Sequence, residues 1–248
     1  MRASLFCCRL WPTSAQKLVP SGSPVYLALF ESPLERLIIH TFMAVYVYGS
    51  CVDAARAGDL RTLQLLRRDG YPWDRDTCMF AARGGHFDIL KWAHENGCKW
   101  DSFTCAFAAQ HGHFEILKWA RENGCEWDRY TCACAAGGGH FEILKWARGQ
   151  NPPCPWDPNT CANATAGGHF EILKWARENG CEWDSFTCAF AAQRGHLEIL
   201  EYLYDSRAPF SAKLGITNDK CKAFIEEYGP SWEKGEYRKL TKSQNIKG

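Results

Sequence analysis

The chain has 248 residues, of which 46% are apolar and 23% are charged, and its 29 basic and 28 acidic side chains leave a net charge of +1. This is the composition of a globular protein, and it gives no indication of the clustered basic surface that binds nucleic acid. Fourteen cysteines would indicate disulfides only beside a secretory signal. The apolar patches before residue 20 are broken by Arg9 and Pro12, which makes a poor signal-peptide core.

The first 24 residues contain three prolines and five serines or threonines without apolar periodicity, so we expect a disordered N-terminus over residues 1–24. This segment is basic, and no acidic residue precedes Glu31, which leaves a mitochondrial presequence as an alternative. Apart from that alternative, the lack of a secretory signal indicates a cytoplasmic or nuclear protein.

Residues 25–48 are apolar but are interrupted by Glu31, Pro33 and Glu35. The longest clean apolar run, residues 37–48, has 12 residues, whereas a membrane span needs about 20. We therefore expect no membrane span. Instead, residues 25–48 are expected to form an N-terminal helix that caps a repeat array, because the outer face of a terminal repeat is otherwise apolar and exposed.

A Trp-Asp pair recurs through the chain at a nearly constant spacing. Its tryptophans are 27, 27, 29 and 27 residues apart, at Trp73, Trp100, Trp127, Trp156 and Trp183. A fixed period between about 20 and 50 residues is typical of stacked repeats. The pattern therefore predicts an array of repeats.

The array has six units, because a divergent copy begins at Cys51 and the last copy ends at Phe210. We expect a repeat domain over residues 49–228 that includes a C-terminal capping helix from Asp219 to Tyr228. Asp219 is the expected N-cap of this helix. The remaining residues, 229–248, are polar and rich in lysine, and they predict a disordered tail.

Each unit has room for two short helices. In the copy that starts at Trp100, the first helix is expected from Ser102 to Gln110, because Asp101 is a good N-cap. In another copy Pro158 occupies the position of Ser102, and proline is favoured at the first helical residue. The second helix is expected from about Phe114 to Asn123, with Gly124 as the left-handed residue that closes it.

The segment A-A-x-x-G-H-[FL]-[DE]-I-L-K-W-A, at residues 81–93, 108–120 and 135–147, resembles the ankyrin repeat. The resemblance has two departures. The family's T-P-L-H start is replaced by T-C-A-F at residues 104–107, and the period is about six residues shorter than the usual 33. The missing residues fall where the family has a β-hairpin. The resemblance therefore implies an all-α solenoid of about six stacked helix-turn-helix repeats with little or no β structure.

A cysteine and a histidine also recur once per repeat, for example Cys105 and His113. We expect no metal site, because each repeat lacks two further ligands and tetrahedral zinc needs four. The resemblance assigns the histidine to the turn between the helices and the cysteines to small buried positions. A disulfide between Cys98 and Cys105 is a conceivable alternative. No residue has the setting of a nucleophile, so we expect no enzyme, no cofactor and no small-molecule substrate.

Three positions on the first helix and its end vary between repeats while the frame stays constant. The resemblance places these positions on the concave face of the solenoid, where such proteins bind partners. Phenylalanine beside polar and basic side chains is typical of a protein-binding patch, although the rings could also be partly buried between first helices. The candidate partner-binding residues are Phe80, Arg83, Phe107, Gln110, His111, Asn163, Phe190, Gln193 and Arg194.

We therefore expect a non-catalytic scaffold that binds an unidentified protein partner through the concave face of ankyrin-like repeats. One alternative is a substrate adaptor of a ubiquitin ligase, because P-L-E-R-L-I-I at residues 33–39 faintly resembles the opening of an F-box. Another is binding of nucleic acid by the tail, for which a solvated tail is the simpler interpretation. The basic tail residues are Lys234, Arg238, Lys239, Lys242 and Lys247.

Overall fold

The computed structural model describes residues 49–210, 216 and 218–237. These residues all belong to one of the two units into which the chain divides, Tyr48–Gly248. Within them every regular element is a helix, which confirms the all-α expectation. The predictions for residues 1–48, namely the disordered N-terminus, the N-terminal helix and the F-box-like segment, lie outside the described residues.

The described residues form six pairs of short helices followed by a longer one. The pairs are α1 Cys51–Ala57 and α2 Leu60–Arg68; α3 Arg75–Gly84 and α4 Phe87–Glu95; α5 Ser102–Gln110 and α6 Phe114–Glu122; α7 Arg129–Gly137 and α8 Phe141–Arg148; α9 Pro158–Ala166 and α10 Phe170–Glu178; and α11 Ser185–Arg194 and α12 Leu197–Asp205. The longer helix is α13 Asp219–Glu233.

The helix boundaries follow from the local signals in the sequence. The carboxylate of Asp101 accepts the backbone N–H of Phe103 at 3.1 Å and so caps α5, as expected. Pro158 is the first residue of α9. Gly124 follows the end of α6 with a φ of 84°, a left-handed conformation that glycine adopts without strain. The predicted bounds of α5 are confirmed, and α6 ends one residue earlier than expected.

The first and second helices of a repeat bury side chains of different size. Helix α5 buries only alanine, cysteine and threonine, whereas α6 buries Ile116 and Leu117. Because small side chains let helix backbones approach closely, neighbouring first helices such as α5 and α7 are in extensive direct contact. Among the described helices, extensive contact between neighbouring repeats is confined to first helices. The array is therefore most tightly spaced along its first helices.

A histidine connects each repeat to the one before it. The Nε2 atom of His140 lies 3.0 Å from the backbone oxygen of Gln110, and because a carbonyl only accepts, the imidazole N–H donates. The ring rests on Gly112, where a Cβ atom would lie 2.6 Å from Cε1 of His140. Three further histidines make the same contact, from His86 to Arg56, from His113 to Arg83 and from His169 to Gly137. We refer to this contact as the histidine joint.

Aromatic rings connect the second helices. Within a repeat, Trp100 of the Trp-Asp pair meets Trp119 edge to face at 5.6 Å between ring centroids. Between repeats, Phe87 at the start of α4 meets the same Trp119 at 5.5 Å. The guanidinium of Arg121 then lies 4.1 Å from the ring of Trp127 in the next repeat. Each tryptophan is thus held by its own repeat and by the preceding one, which fixes the spacing of the second helices.

The C-terminal helix differs from the expectation in both of its ends. Its N-cap is Asn218, whose side chain accepts the N–H groups of Lys220 and Cys221, so the expected Asp219 cap is wrong. The helix also continues through Pro230 to Glu233. The expected start of a disordered tail at Gly229 is therefore wrong, and residues 238–248 lie outside the described residues.

Trp232 explains why α13 continues past its proline. Its indole N–H donates to the backbone oxygen of Ala208 at 2.8 Å, and its ring stacks on Phe210 at 4.5 Å. Only 3% of Trp232 is exposed. Burial of such a large ring stabilises the last turn and outweighs the backbone hydrogen bond that Pro230 cannot make.

Replacing Gly112 by alanine should destabilise the array more than the same change at Gly124. Both glycines are left-handed, with φ values of 78° and 84°, so both variants should lose about 1–2 kcal/mol for the backbone. A methyl group at Gly112 also collides with His140, whereas nothing lies within 4 Å of a Cβ atom at Gly124. The collision should increase the loss of unfolding free energy by about a further 1–3 kcal/mol. Urea unfolding measures this difference.

A second variant in the same experiment isolates the histidine joint. His140→Ala removes the hydrogen bond to Gln110, at a cost of about 0.5–1.5 kcal/mol, but it leaves room for the new methyl group. In that background, Gly112→Ala should cost no more than Gly124→Ala does. If Gly112→Ala and Gly124→Ala reduce the free energy of unfolding equally in the chain that retains His140, the contact between His140 and Gly112 is wrong.

Trp232→Ala should reduce the free energy of unfolding by about 3–5 kcal/mol, because it removes a buried aromatic ring. The matched control is Lys234→Ala, two residues further on and exposed, which should change stability by less than about 0.5 kcal/mol. If both variants unfold at the same urea concentration, residues after Tyr228 are not part of the folded array.

Candidate functional site

Each first helix has one exposed face. On α5, Phe103 and Gln110 are exposed and Phe107 is half-buried, whereas Thr104 and Cys105 between them are buried. Residues spaced by four and three positions lie on the same side of a helix. We call this face the first-helix stripe, defined in each repeat by the equivalents of Phe103, Phe107 and Gln110, together with the residue after Gln110.

All nine predicted site residues lie on the first-helix stripe. Five of them are exposed, and they are Arg83, Gln110, His111, Gln193 and Arg194. The others are half-buried, and they are Phe80, Phe107, Asn163 and Phe190. The sequence left open whether these phenylalanine rings are exposed for binding or buried between first helices. In the structure they are intermediate, since part of each ring is buried and part faces solvent.

One further column of the stripe, which was not predicted from the sequence, lies in the first turn of each first helix. It contains Phe103, Tyr130 and Phe186, with exposed fractions of 47%, 46% and 64%. The rings of Phe103 and Tyr130 stack across neighbouring repeats at 6.4 Å. The same comparison between copies could have found them, because this position varies from Asp76 through the three aromatic residues to Asn159.

Arginines and rings pack together at the N-terminal end of the stripe. The guanidinium of Arg56 lies 4.0 Å from the ring centroid of Phe80. That of Arg83 lies 6.0 Å from Phe80 and 5.7 Å from Phe107. The Phe107 ring is stacked near His111 at 6.3 Å. These contacts hold the side chains in place before any partner binds.

The middle of the stripe has small side chains. Repeat four presents Cys134 and Gly137, and repeat five presents Asn163 and Ala166. The Asn163 amide is held by a hydrogen bond to the backbone oxygen of Ala133 at 3.3 Å. Apart from the exposed ring of Tyr130, the stripe therefore has a low central part between two ends that carry phenylalanine and arginine.

The buried cysteines form pairs within repeats. Cys105 hydrogen-bonds to Cys125, and this contact together with burial raises the pKa of the Cys105 thiol. The Cys98 thiol donates to the backbone oxygen of Asp74 at 3.2 Å, and both Cys98 and Cys105 are free thiols, so the alternative disulfide between them is not formed. A fully buried thiol with a raised pKa, such as that of Cys105, is a poor nucleophile.

The recurring histidines also have structural contacts, since their Nε2 atoms face backbone oxygens in the histidine joint. In the described part of the chain, no group of three or more histidine, cysteine or acidic side chains is arranged to hold a metal ion. Nor is any helix of that part long and apolar enough to cross a membrane.

Comparison with known proteins identifies the repeats. Residues 78–121, which cover most of the second and third helix pairs, match the family model "Ankyrin repeats (many copies)". The three later helix pairs share the Asp N-cap of the first helix and the histidine before the second helix, whereas the first pair has Ser50 and Asp59 at these positions. The repeats over residues 78–121 are therefore ankyrin repeats, and the rest of the array is similar to them in sequence pattern.

A search of solved structures finds the crystal structure of the human ASB11 ankyrin repeat domain, with a TM-score of 0.47 and 19% sequence identity. The match covers 68% of this chain and 87% of that one. A search of curated protein sequences finds no match.

Among the described cysteines, Cys134 should be the first to react with iodoacetamide, because it alone is not fully buried. The thiolate is the nucleophile, and burial raises the pKa of the Cys134 thiol. Its alkylation at pH 8 should therefore be slower than in the urea-unfolded chain, and its rate should keep rising at pH values where an unfolded cysteine has already reached its maximum rate. Burial raises the pKa of Cys188 to about 12, so Cys188 should stay unmodified.

Peptide mapping by mass spectrometry separates these sites from the cysteines outside the described residues. Equal rates of alkylation at Cys134 and Cys188 would show that the first-helix packing described here is wrong.

Proposed function

We propose that this chain is a non-catalytic scaffold that binds a partner protein through the first-helix stripe. Ankyrin repeats are generally protein-interaction modules. The observation that carries the proposal is the set of three large aromatic side chains exposed on one stripe, Phe103, Tyr130 and Phe186. Exposed aromatic residues on a rigid frame are the typical anchors of protein interfaces.

The spacing of the helices supports the same face. Neighbouring first helices pack closely through alanine and cysteine, whereas the second helices carry phenylalanine and tryptophan between them. A stack that is tighter on one side curves toward that side. Curvature of this kind would put the first-helix stripe on the concave face, where a partner contacts several repeats at once.

The chemistry of the described residues favours binding over catalysis. All described cysteine thiols except that of Cys134 are buried, and the recurring histidines contact backbone oxygens, so both residue types have structural contacts. Free thiols are stable in reducing compartments, and we therefore also propose a cytoplasmic or nuclear location.

The alternative functions rest on other parts of the chain. Of the basic tail residues, only Lys234 lies in the described part, where it follows the end of α13. The F-box-like segment lies outside that part. Neither alternative has support from the first-helix stripe.

Affinity capture from a lysate of the source cells tests the proposal with three forms of the full chain. The stripe variant carries Phe103→Ser, Tyr130→Ser and Phe186→Ser. The matched control carries Glu115→Ser, Glu142→Ser and Glu171→Ser on the second helices, where each glutamate side chain is 77% exposed. Circular dichroism checks that all three forms are folded.

The unmodified chain and the control should retain the same partner, and the stripe variant should lose at least about 90% of it, since each interface anchor contributes about 2 kcal/mol or more. Retention of the same proteins by the stripe variant, or of no specific protein by any form, would contradict the proposal.

A further inference from the structure

The charges of the first-helix stripe are unbalanced. Among the described residues, neither Arg83 nor Arg194 has a carboxylate within salt-bridge distance, whereas Arg56 is paired with Asp53 at 3.0 Å. From Phe103 to the end of the array, no position of the stripe carries an acidic residue. The stripe therefore presents two unpaired guanidinium groups and no negative charge between them.

Two of the acidic residues next to the stripe are already engaged, whereas Asp76 is exposed on the same helix as Arg83, seven residues before it. Asp101 caps α5 and pairs with Arg75 at 3.4 Å, and Asp157 pairs with Arg129 at 3.5 Å. These aspartates cap helices, so their carboxylates face backbone N–H groups. They do not neutralise Arg83 or Arg194.

The surroundings of Arg83 suit a carboxylate. Its guanidinium lies between the rings of Phe80 and Phe107, at 6.0 and 5.7 Å from their centroids. Aromatic neighbours restrict a guanidinium and reduce its hydration, and its planar set of N–H groups matches the two oxygens of a carboxylate. At the other end of the stripe, Arg194 lies four residues after Phe190 and one turn further along the same helix face.

The two arginines are four repeats apart. With first helices about 8–10 Å apart, they are separated by about 32–40 Å, which an extended chain spans with about 10–12 residues. The stripe between them is low at Cys134 and Gly137. A peptide backbone can therefore lie along it, with apolar side chains against Phe103, Tyr130 and Phe186.

We propose that the first-helix stripe binds an extended acidic peptide segment of a partner protein, with carboxylates at Arg83 and Arg194 and apolar side chains between them. This inference rests on the proposed function, and it adds the chemistry of the partner. A nucleic acid strand fits this surface less well. It carries a negative charge on every phosphate and would need more basic side chains than the two arginines of the stripe.

A random library of displayed peptides of about 16 residues, long enough for the estimated span, tests the inference. Peptides are selected on the immobilised full chain. Selected peptides are then synthesised, and their affinities for three variants are measured by fluorescence anisotropy. The charge variant is Arg83→Glu with Arg194→Glu, and the aromatic variant carries the three serine substitutions of the stripe.

The third variant is a charge-matched control, Arg61→Glu with Lys91→Glu, since both residues are exposed on second helices. The selected peptides should be enriched in Asp and Glu, with two acidic positions about 10–12 residues apart. The charge variant should bind them at least about tenfold more weakly. The control should bind them within about twofold of the unmodified chain.

The outcomes separate the two proposals. Peptides without acidic enrichment, or with unchanged affinity for the charge variant, would overturn the acidic-peptide inference, while loss of binding to the aromatic variant would still support the stripe. If the peptides bind the aromatic variant with the same affinity as the unmodified chain, the first-helix stripe is not the binding surface, and the proposed function is wrong too.

Discussion

The histidine joint is the contact on which the array depends. Each joint needs a histidine at the start of a second helix, a left-handed glycine in the preceding repeat and a backbone oxygen beside it, as with His140, Gly112 and Gln110. Four of the five junctions between the described helix pairs have this hydrogen bond, and His196 rests on Gly168 at the fifth, so the repeats stack at a nearly constant step. Asn218 occupies the histidine's place against Gly195 at the C-terminal end, which explains how α13 closes the array.

The joint uses a backbone oxygen, and this leaves side chains free to vary. The residues whose carbonyls accept the histidines include Arg56, Arg83, Gln110 and Gly137, and these are positions of the first-helix stripe. A constant backbone contact can therefore carry different side chains on its outer face. This separation of frame and surface allows the stripe to carry arginine at its ends and small residues in its middle without a change in the stacking.

Aromatic residues have two different roles in this chain. The tryptophans of the Trp-Asp pairs are held by rings and by guanidinium groups, as Trp127 is by Trp146 and Arg121, and they stabilise the stack. Phe103, Tyr130 and Phe186 instead remain exposed and are available for binding. The composition of the sequence does not distinguish the two groups, since both consist of large rings that recur with the same period.

The sequence by itself determined the repeat, its helices and its caps, because these depend on contacts between residues close in the chain: the Asp101 cap, the Pro158 start and the Gly124 end. Tertiary structure decided the features that depend on distant neighbours. These are the exposure of Phe103 and Tyr130, the pairing of Cys105 with Cys125, and the extension of α13 past Pro230. Each is set by packing between segments about 20 or more residues apart, as Trp232 on Ala208 illustrates. Comparison of the copies shows that the position of Phe103 varies, but it does not show that the ring stays exposed.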